Sequence, residues 1–567
     1  MKLTGAEIIL ECLLEQGVDT VFGYPGGSVL NIYDALYKYS DKIRHILTAH
    51  EQGASHAADG YARSTGRTGV VIATSGPGAT NLVTGLATAN MDSVPVVAIT
   101  GNVGCSALGL DSFQEVDITG VTIPITKHNY IVKDINKLAD TIREAFYLAN
   151  SGRKGPVLID VPKDVTAAIC EYTAQKPAPI PVENHTTTHE LERAVAMMME
   201  AKRPFIYTGG GVIASEASEP VLELVNRMDA PVSSSLMGQG SFDNTDPRYM
   251  GMLGMHGTVT AAKAIAECDL FIGLGTRFSD RVIGDKATFA KNAKILQIDI
   301  DPAEVNKNIA VDLALIGDVK AVLEQLLPLL PQQEHTQWME QIQSWKKEYP
   351  LVMTAEDSEA VTPQDIIQTL DELTHGDAII TTEVGQHQMW AAQFYQFRHP
   401  RSFISSGGLG TMGYGFGAAM GAQVGNPDKR VINIAGDGSF HMNCNELVTA
   451  YKFQIPMIEM LFNNNVLGMV RQWQRLFYDR RFSQTTLDRG TDYMLLAQAY
   501  HIKGLRITKK SDIRPVLEEA LSLHEPVLIE CVIDRDINVL PMVPPGADVS
   551  KPITHITIEE KEGGAQS

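Results

Sequence analysis

An apolar run at 431–435 ends in Gly436-Asp437-Gly438, and a second at 457–462 ends in Asn463-Asn464-Asn465. Both runs read as strands joined by one helical crossover, and open parallel sheets bind ligands outside the carboxyl ends of their strands. Asp437 and Asn464, 27 positions apart, would then meet at one end of a sheet. A carboxylate and an amide oxygen make part of a hard oxygen shell, which Mg²⁺ accepts when phosphate oxygens and water complete it. Gly436 and Gly438 let a diphosphate approach the backbone, and helix N–H groups starting near Ser439 would offset its charge. A Gly-Asp-Gly turn alone is ordinary turn chemistry. The amide cluster at the next strand end makes the pair read as a Mg²⁺-diphosphate site.

The elements that must position these groups recur along the chain. Two stretches read as linkers: 173–190, rich in Pro and Thr, and 346–363, polar and aperiodic. They leave blocks of 1–175, 190–345 and 360–567, each alternating short β-branched runs with amphipathic stretches. That alternation predicts an α/β protein of three doubly wound parallel-sheet domains. The outer blocks share a plan. Residues 69–102 run strand, Gly-rich turn, helix, then Pro95 and a strand, as 431–465 do with Pro456; Pro77 stands where Asp437 stands. The alternative is chance similarity among α/β units, which all use strand-Gly-helix turns.

At 567 residues the chain exceeds one hydrophobic core. Its net charge of −20 argues against a nucleic-acid partner or an anionic membrane patch. The six cysteines are scattered without a CxxC pair, which fits a reducing cytosol better than a zinc site or disulfide framework. Residues 1–18 carry Glu7, Glu11 and Glu15 within an apolar pattern, so they read as an amphipathic helix and not a signal peptide. No run approaches the ~18 apolar residues of a membrane span. The expected location is cytoplasmic, with no membrane contact.

Gly-Asp-Gly followed by the paired amides resembles the thiamin-diphosphate-binding pattern. That cofactor needs a second group, a carboxyl on its pyrimidine nitrogen that favours the imino tautomer. The candidate is Glu51 in "HEQGA" (50–54), after an apolar run in the first block; the ordinary alternative is a capping or surface glutamate.

Over nearly its full length the chain then resembles the large catalytic subunit of acetohydroxyacid synthase (acetolactate synthase). The resemblance is carried by an ordered set: "VFGYPGGSVLNIYDAL" (21–36), "ATSGPGATNLVTGLA" (73–87), "FQEVD" (113–117), "GMLGMHGT" (251–258), "RFSDR" (277–281), "VGQHQMWAAQ" (384–393), "GGLGTMGYG" (407–415), "LGMVRQWQ" (467–474) and "PMVPPGA" (541–547). It implies that Glu51 activates thiamin diphosphate and that Asp437, Asn464 and the Val466 carbonyl hold Mg²⁺. Val384, Gly385, Gln386, His387, Gly410, Gly436, Gly438 and Ser439 would surround the cofactor, with Met412 as the apolar wedge that keeps it bent. Tyr24, Pro25, Gly26 and Gly27 would form a turn near the reacting carbon, with Phe113, Gln114 and Lys163 at the substrate entrance. Arg281 would grip the carboxylate of the second 2-oxo acid, while Trp473 and Met469 line the acceptor pocket.

For the middle block the resemblance implies non-redox, structural FAD, held by Arg153, Gly209, Gly210, Gly211, His256, Gly257, Gly275, Thr276, Arg277, Asp299, Asp301, Gly317 and Asp318. No GxGxxG fingerprint supports this independently. The implied activity decarboxylates pyruvate and joins its two-carbon unit to a second pyruvate, giving 2-acetolactate, or to 2-oxobutyrate, giving 2-aceto-2-hydroxybutyrate. This is the first common step of valine, leucine and isoleucine biosynthesis. The implied partners are a second copy in a homodimer or dimer of dimers, and a small regulatory subunit. The rivals are a pyruvate oxidase-like enzyme, a catabolic acetolactate synthase, or an inactive structural or regulatory paralogue. Three departures from the family stand out: Ser279 for Asp, Phe416-Gly417 for Leu-Pro, and Lys154 for Pro. Loss of the proline is expected to loosen the turn at 417.

Overall fold

The computed structural model describes residues 1–353 and 360–556, so part of the expected second linker and the end of the third block lie outside the described residues. The chain divides into two compact units. One comprises Met1–Asn184, Gln239–Asp243 and Ala355–Ile537; the other comprises His185–Gly238, Asn244–Thr354 and Asn538–Ser567. The C-terminal tail, expected with the third block, therefore groups with the central one. Val543 and Val549 pack into its core, and Val543 N–H donates to the Met255 carbonyl at 2.7 Å.

The first unit carries two six-stranded parallel sheets. In chain order, one has strands Thr20–Tyr24, Arg44–Leu47, Gly69–Ala73, Val96–Asn102, His128–Ile131 and Val157–Pro162. The other has Ile379–Thr382, Phe403–Ile404, Val431–Gly436, Ile458–Asn463, Lys503–Ile507 and Val527–Val532. Numbered by position in the chain, both run 2-1-3-4-6-5 across the sheet. The likeness of the outer blocks is thus a shared topology and not a coincidence of turns. It extends to a detail the sequence pattern missed, where one crossover helix was expected. After the third strand each sheet has a four-residue helix, Pro77–Thr80 or Asp437–Phe440, and only then a second helix, Val83–Met91 or Leu447–Lys452. In the later copy Asn443 interrupts the crossover by donating its side-chain amide to the Gly413 carbonyl, a side-chain-to-backbone bond that competes with helix.

Two helices of this unit meet through small residues: Glu51–Thr65 and Gly415–Gly425. A Cβ on Gly60 would lie 2.1 Å from the Ala418 carbonyl oxygen, and one on Gly421 would lie 1.8 Å from that of Ala57. Beside them Arg63 is buried between Asp59 and Asp92, at 2.6 and 3.0 Å, and Tyr414 donates its hydroxyl to Asp59. A buried charge of this kind persists only when paired and hydrogen-bonded.

The second unit carries a six-stranded parallel sheet of Pro204–Thr208, Val232–Ser234, Tyr249–Met252, Leu270–Leu274, Lys294–Asp299 and Leu313–Ile316. Its order is 3-2-1-4-5-6, that of dinucleotide-binding folds, with the reversal between the first and fourth strands. Among the described residues no helix is long and apolar enough to cross a membrane.

Candidate active site

Gly436 ends the third strand of the later sheet, and Asp437 opens the short helix that follows, two residues earlier than the sequence pattern suggested. Asn463 ends the adjacent fourth strand, which places Asn464 beside Asp437. Both face a cavity of about 80 Å³ whose lining residues all fall between Val384 and Val470. Val384, Gly385, Gln386, His387, Met412, Gly436, Gly438, Ser439, Val466 and Met469 line it with them. The expected diphosphate, metal and wedge residues thus converge, except Gly410, which packs next to Val384.

Burial pushes the Asp437 carboxyl up to about 7, and its Oδ1 has no hydrogen-bond partner. A buried carboxylate oxygen without a donor is costly, and a cation is the partner it lacks. Asn464 Oδ1 accepts from the Val466 N–H at 3.2 Å, which fixes the amide oxygen and the Val466 carbonyl in one turn. Among the described residues no three His, Cys, Asp or Glu side chains cluster to hold a metal. An ion at Asp437 would therefore draw on amide, carbonyl and phosphate oxygens, which is the donor set Mg²⁺ favours. His387 is neutral, burial holding its imidazole down to about 3, and its Nε2 lacks a partner, as does Gln386 Oε1. The ring lies so close to the backbone that a Cβ on Gly385 or Gly436 would stand 2.7 Å from it. These residues fit a diphosphate and its metal.

The loop carrying Gly410 and Met412 is held from several sides. Asp92 accepts from the Gly407 and Gly408 N–H groups at 3.0 and 2.8 Å. Glu383, fully buried, accepts from Gly413 and Phe416 at 2.6 and 3.2 Å, and burial raises its carboxyl to about 7. Neither carboxylate belongs to a recognisable motif, and only the fold brings them to this loop.

Glu51 is the first residue of its helix, after the strand Arg44–Leu47. Its Oε2 accepts from Asn81 Nδ2 at 3.0 Å, and a Cβ on Gly78 would lie 3.2 Å from its Oε1. Glu51 thus stands against the first sheet's counterpart of the Asp437 turn, and it does not line the Asp437 cavity. Tyr24 ends the first strand, and Gly26 packs so tightly on Thr74 that a Cβ would meet it at 2.5 Å; Gly27 opens the next turn. Phe113 is 87% exposed, and Gln114, at φ 59°, packs its backbone on Gly76. Lys163 is exposed and opens the helix Lys163–Ala167. Trp473 stands on the helix Gly468–Phe477, edge-on to Phe477 with ring centroids 6.0 Å apart. Arg281, in the second unit, lies 3.5 Å from Asp280 and is largely exposed.

Of the residues expected to hold a flavin, Gly209 and Gly275 stand at the carboxyl ends of the first and fourth strands, where the strand order reverses. A Cβ on Gly209 would lie 2.2 Å from the Gly275 carbonyl oxygen, so both backbones close this crevice without side chains. Gly210 and Gly211 open the helix Gly210–Ala214, and Asp318 caps Val319–Leu326 after Gly317. Asp299 ends the fifth strand, with Asp301 just beyond it. His256 is buried, its imidazole held down to about 4, and is followed by Gly257. Thr276 is buried and Arg277 partly so. This crevice is where an open α/β sheet takes a dinucleotide, so the residues fit the group. Arg153 lies in the first unit, where its Nε donates to Ser93 Oγ at 2.9 Å.

Comparison with known proteins bears on this geometry. Residues 3–121 match the thiamine pyrophosphate enzyme N-terminal TPP-binding domain, 191–326 the central domain, and 383–531 the C-terminal TPP-binding domain. The chain is 45% identical to the acetolactate synthase large subunit of Cyanidium caldarium, over 97% of this chain and 96% of that protein. It is 46% identical to a probable acetolactate synthase large subunit of Methanocaldococcus jannaschii, covering 99% and 96% respectively. It is also 46% identical to an acetolactate synthase of Mycobacterium leprae, covering 96% and 89%.

Proposed function

Because the chain belongs to the acetolactate synthase large-subunit family of thiamine pyrophosphate enzymes, we propose that it makes 2-acetolactate from two pyruvates and 2-aceto-2-hydroxybutyrate from pyruvate and 2-oxobutyrate. Thiamin diphosphate supplies, when bound, the nucleophilic carbon and the electron sink for decarboxylation. The rest is positioning. Asp437, Asn464 and the Val466 carbonyl would hold Mg²⁺, and Met412 would supply the apolar wedge beside the cofactor. Glu51 holds a proton on the pyrimidine nitrogen. Arg281 takes the acceptor's carboxylate, and Trp473 and Met469 form the wall beside its alkyl group. Gly209 and Gly275 would admit FAD, in a structural role, to the crevice at their strand ends. Three domains built on 1–175, 190–345 and 360–537 carry the pyrimidine, flavin and diphosphate sites, with the C-terminal tail joined to the second. We place the enzyme in the cytoplasm, joined by a small regulatory subunit.

The observation that carries this reading is the buried, unpartnered Asp437 oxygen in a cavity lined by residues 384–470, with Glu51 in the other sheet's domain. An extended cofactor needs both, so the working site is assembled from Asp437 of one chain and Glu51 of a second copy. Exposed apolar residues on both domains, Phe113, Ile123, Leu409 and Met442 among them, suit burial in such a dimer. Co-expression of an Asp437→Ala chain with a Glu51→Gln chain tests it. Each alone is inactive, and mixed dimers restore about a quarter of wild-type sites, because one of their two sites is intact. Inactive mixed dimers would place the whole site within one chain.

A further inference from the structure

The segment from Asp437 to Glu446 touches more than the metal site. Its far end, the turn Cys444–Glu446, carries a carboxylate that reaches the other domain of the same unit. Glu446 Oε2 accepts from the Ala49 N–H and Oε1 from the His50 N–H, both at 3.0 Å. These are the two residues immediately before Glu51. The side chain is fully buried, and Thr449 Oγ1 donates to Oε2 at 2.6 Å. Gly53 leaves room for it: a Cβ there would lie 2.2 Å from Oε1.

The carboxylate thus closes on the amino end of the helix Glu51–Thr65, where unpaired N–H groups and the helix dipole favour negative charge. Charge-assisted bonds to two consecutive amides fix the backbone at the point from which the Glu51 side chain departs. Asn81 then fixes its far end by the bond to Oε2. Halfway along the same segment Asn443 holds the Gly413 carbonyl, next to Met412. One short stretch therefore bears on the metal carboxylate, the wedge turn and the acid–base glutamate.

We propose that Glu446 is a positioning residue for Glu51: its carboxylate fixes the Ala49–His50 backbone and so aims Glu51 at the pyrimidine nitrogen. The proposal rests on the acid–base role given to Glu51 above. A displaced acid–base group loses rate steeply, because alignment and not affinity is what it contributes.

Glu446→Gln keeps the size and one acceptor oxygen but sets an amide N–H against a backbone N–H. In apo enzyme, amide hydrogen exchange of a peptide covering 48–54 is expected to quicken. In enzyme loaded with Mg²⁺ and thiamin diphosphate, exchange of the cofactor's thiazolium C–H proton is expected to slow by on the order of a hundredfold. Cofactor affinity stays within about threefold, since the groups at Asp437 are untouched. Unchanged proton exchange, or a loss matched by lost cofactor affinity, overturns the proposal. Glu51→Gln separates the two claims. If it leaves proton exchange at the wild-type rate, the reading of Glu51 fails; if it abolishes exchange while Glu446→Gln does not slow it, only the positioning role fails. Should Glu446→Gln not fold, Thr449→Val, which removes only the donor to Oε2, is expected to slow exchange severalfold, and an unchanged rate overturns the proposal.

Discussion

Gly417 lies so close to His56 that a Cβ at 417 would stand 2.8 Å from the His56 Cβ and 2.9 Å from the Gly53 carbonyl oxygen. The resemblance to the family implied a proline at this position, and its loss was expected to loosen the turn. Position 417 is inside a regular helix whose start is tied by the Phe416 N–H to Glu383. The glycine is required by the helix packed against it.

Gly417→Ala separates two effects of opposite sign. Helix propensity favours alanine by about 1 kcal/mol. Overpacking against a neighbouring backbone costs about 1–3 kcal/mol. The clash is the larger, so the variant should unfold at lower temperature than wild type. A raised midpoint in thermal denaturation would contradict the packing described.

Glu51→Gln keeps the bond from Asn81 through the amide oxygen but cannot share a proton. Turnover should fall by roughly 10²–10⁴-fold, the span of general acid–base catalysis. Titration calorimetry should find Mg²⁺ and thiamin diphosphate bound as in wild type, because Asp437 and Asn464 are unchanged. Equal losses of binding and turnover would assign Glu51 to the cofactor's attachment and not its activation.

Trp473→Leu addresses the choice of acceptor. One methylene in an apolar pocket is worth about 1–3 kcal/mol, so removing the wall should bring the two acceptors within a few-fold of one another. The check is the product ratio in a competition between pyruvate and 2-oxobutyrate. A ratio equal to that of wild type sinks the role.

Asp160 gives a pH dependence with a definite sign. It is 1% exposed, accepts from Thr100 and Asn102 at 2.7 and 2.6 Å, and burial raises its carboxyl to about 6, with Asp117 adding to the effect. Its unfolded value is about 3.9, so folding favours the protonated form. That contribution is fully present below pH ~4 and is lost as pH rises through ~6, on the order of 3 kcal/mol in all. Asp160→Asn has no such loss. In the apo protein its midpoint should therefore gain on wild type between pH ~4 and ~7; a constant difference would show that Asp160 does not titrate there.

Much of this was written in local pattern. Strand-end signals placed Asp437 and Asn464 on adjacent strands, and the repeat of 69–102 in 431–465 announced two sheets of one topology. Those signals are local because strand alternation and glycine turns act over a few residues. The flavin crevice left a fainter trace. Gly209 and Gly275 match no fingerprint, since what requires them is contact between two backbones 66 positions apart. Glu383, Glu446 and the Arg63–Asp92 pair left none. Glu383, Glu446 and Asp92 are lone charged residues in their own stretches, and their partners arrive only when separate elements pack together, although Arg63 also has Asp59 four residues away on its own helix. The split of the crossover after Asp437 was hidden for a similar reason, because the Gly413 carbonyl that draws Asn443 out of helix belongs to another loop.

The central claim is a carboligation, and the most direct measurement is to identify the carbon products. Purified protein with Mg²⁺, thiamin diphosphate and FAD is given pyruvate and 2-oxobutyrate together, and the mixture is resolved by NMR. The expected result is 2-acetolactate with an excess of 2-aceto-2-hydroxybutyrate. Acetaldehyde or acetate as the main product would contradict it, and would move the enzyme to the decarboxylase or oxidase side of thiamin chemistry.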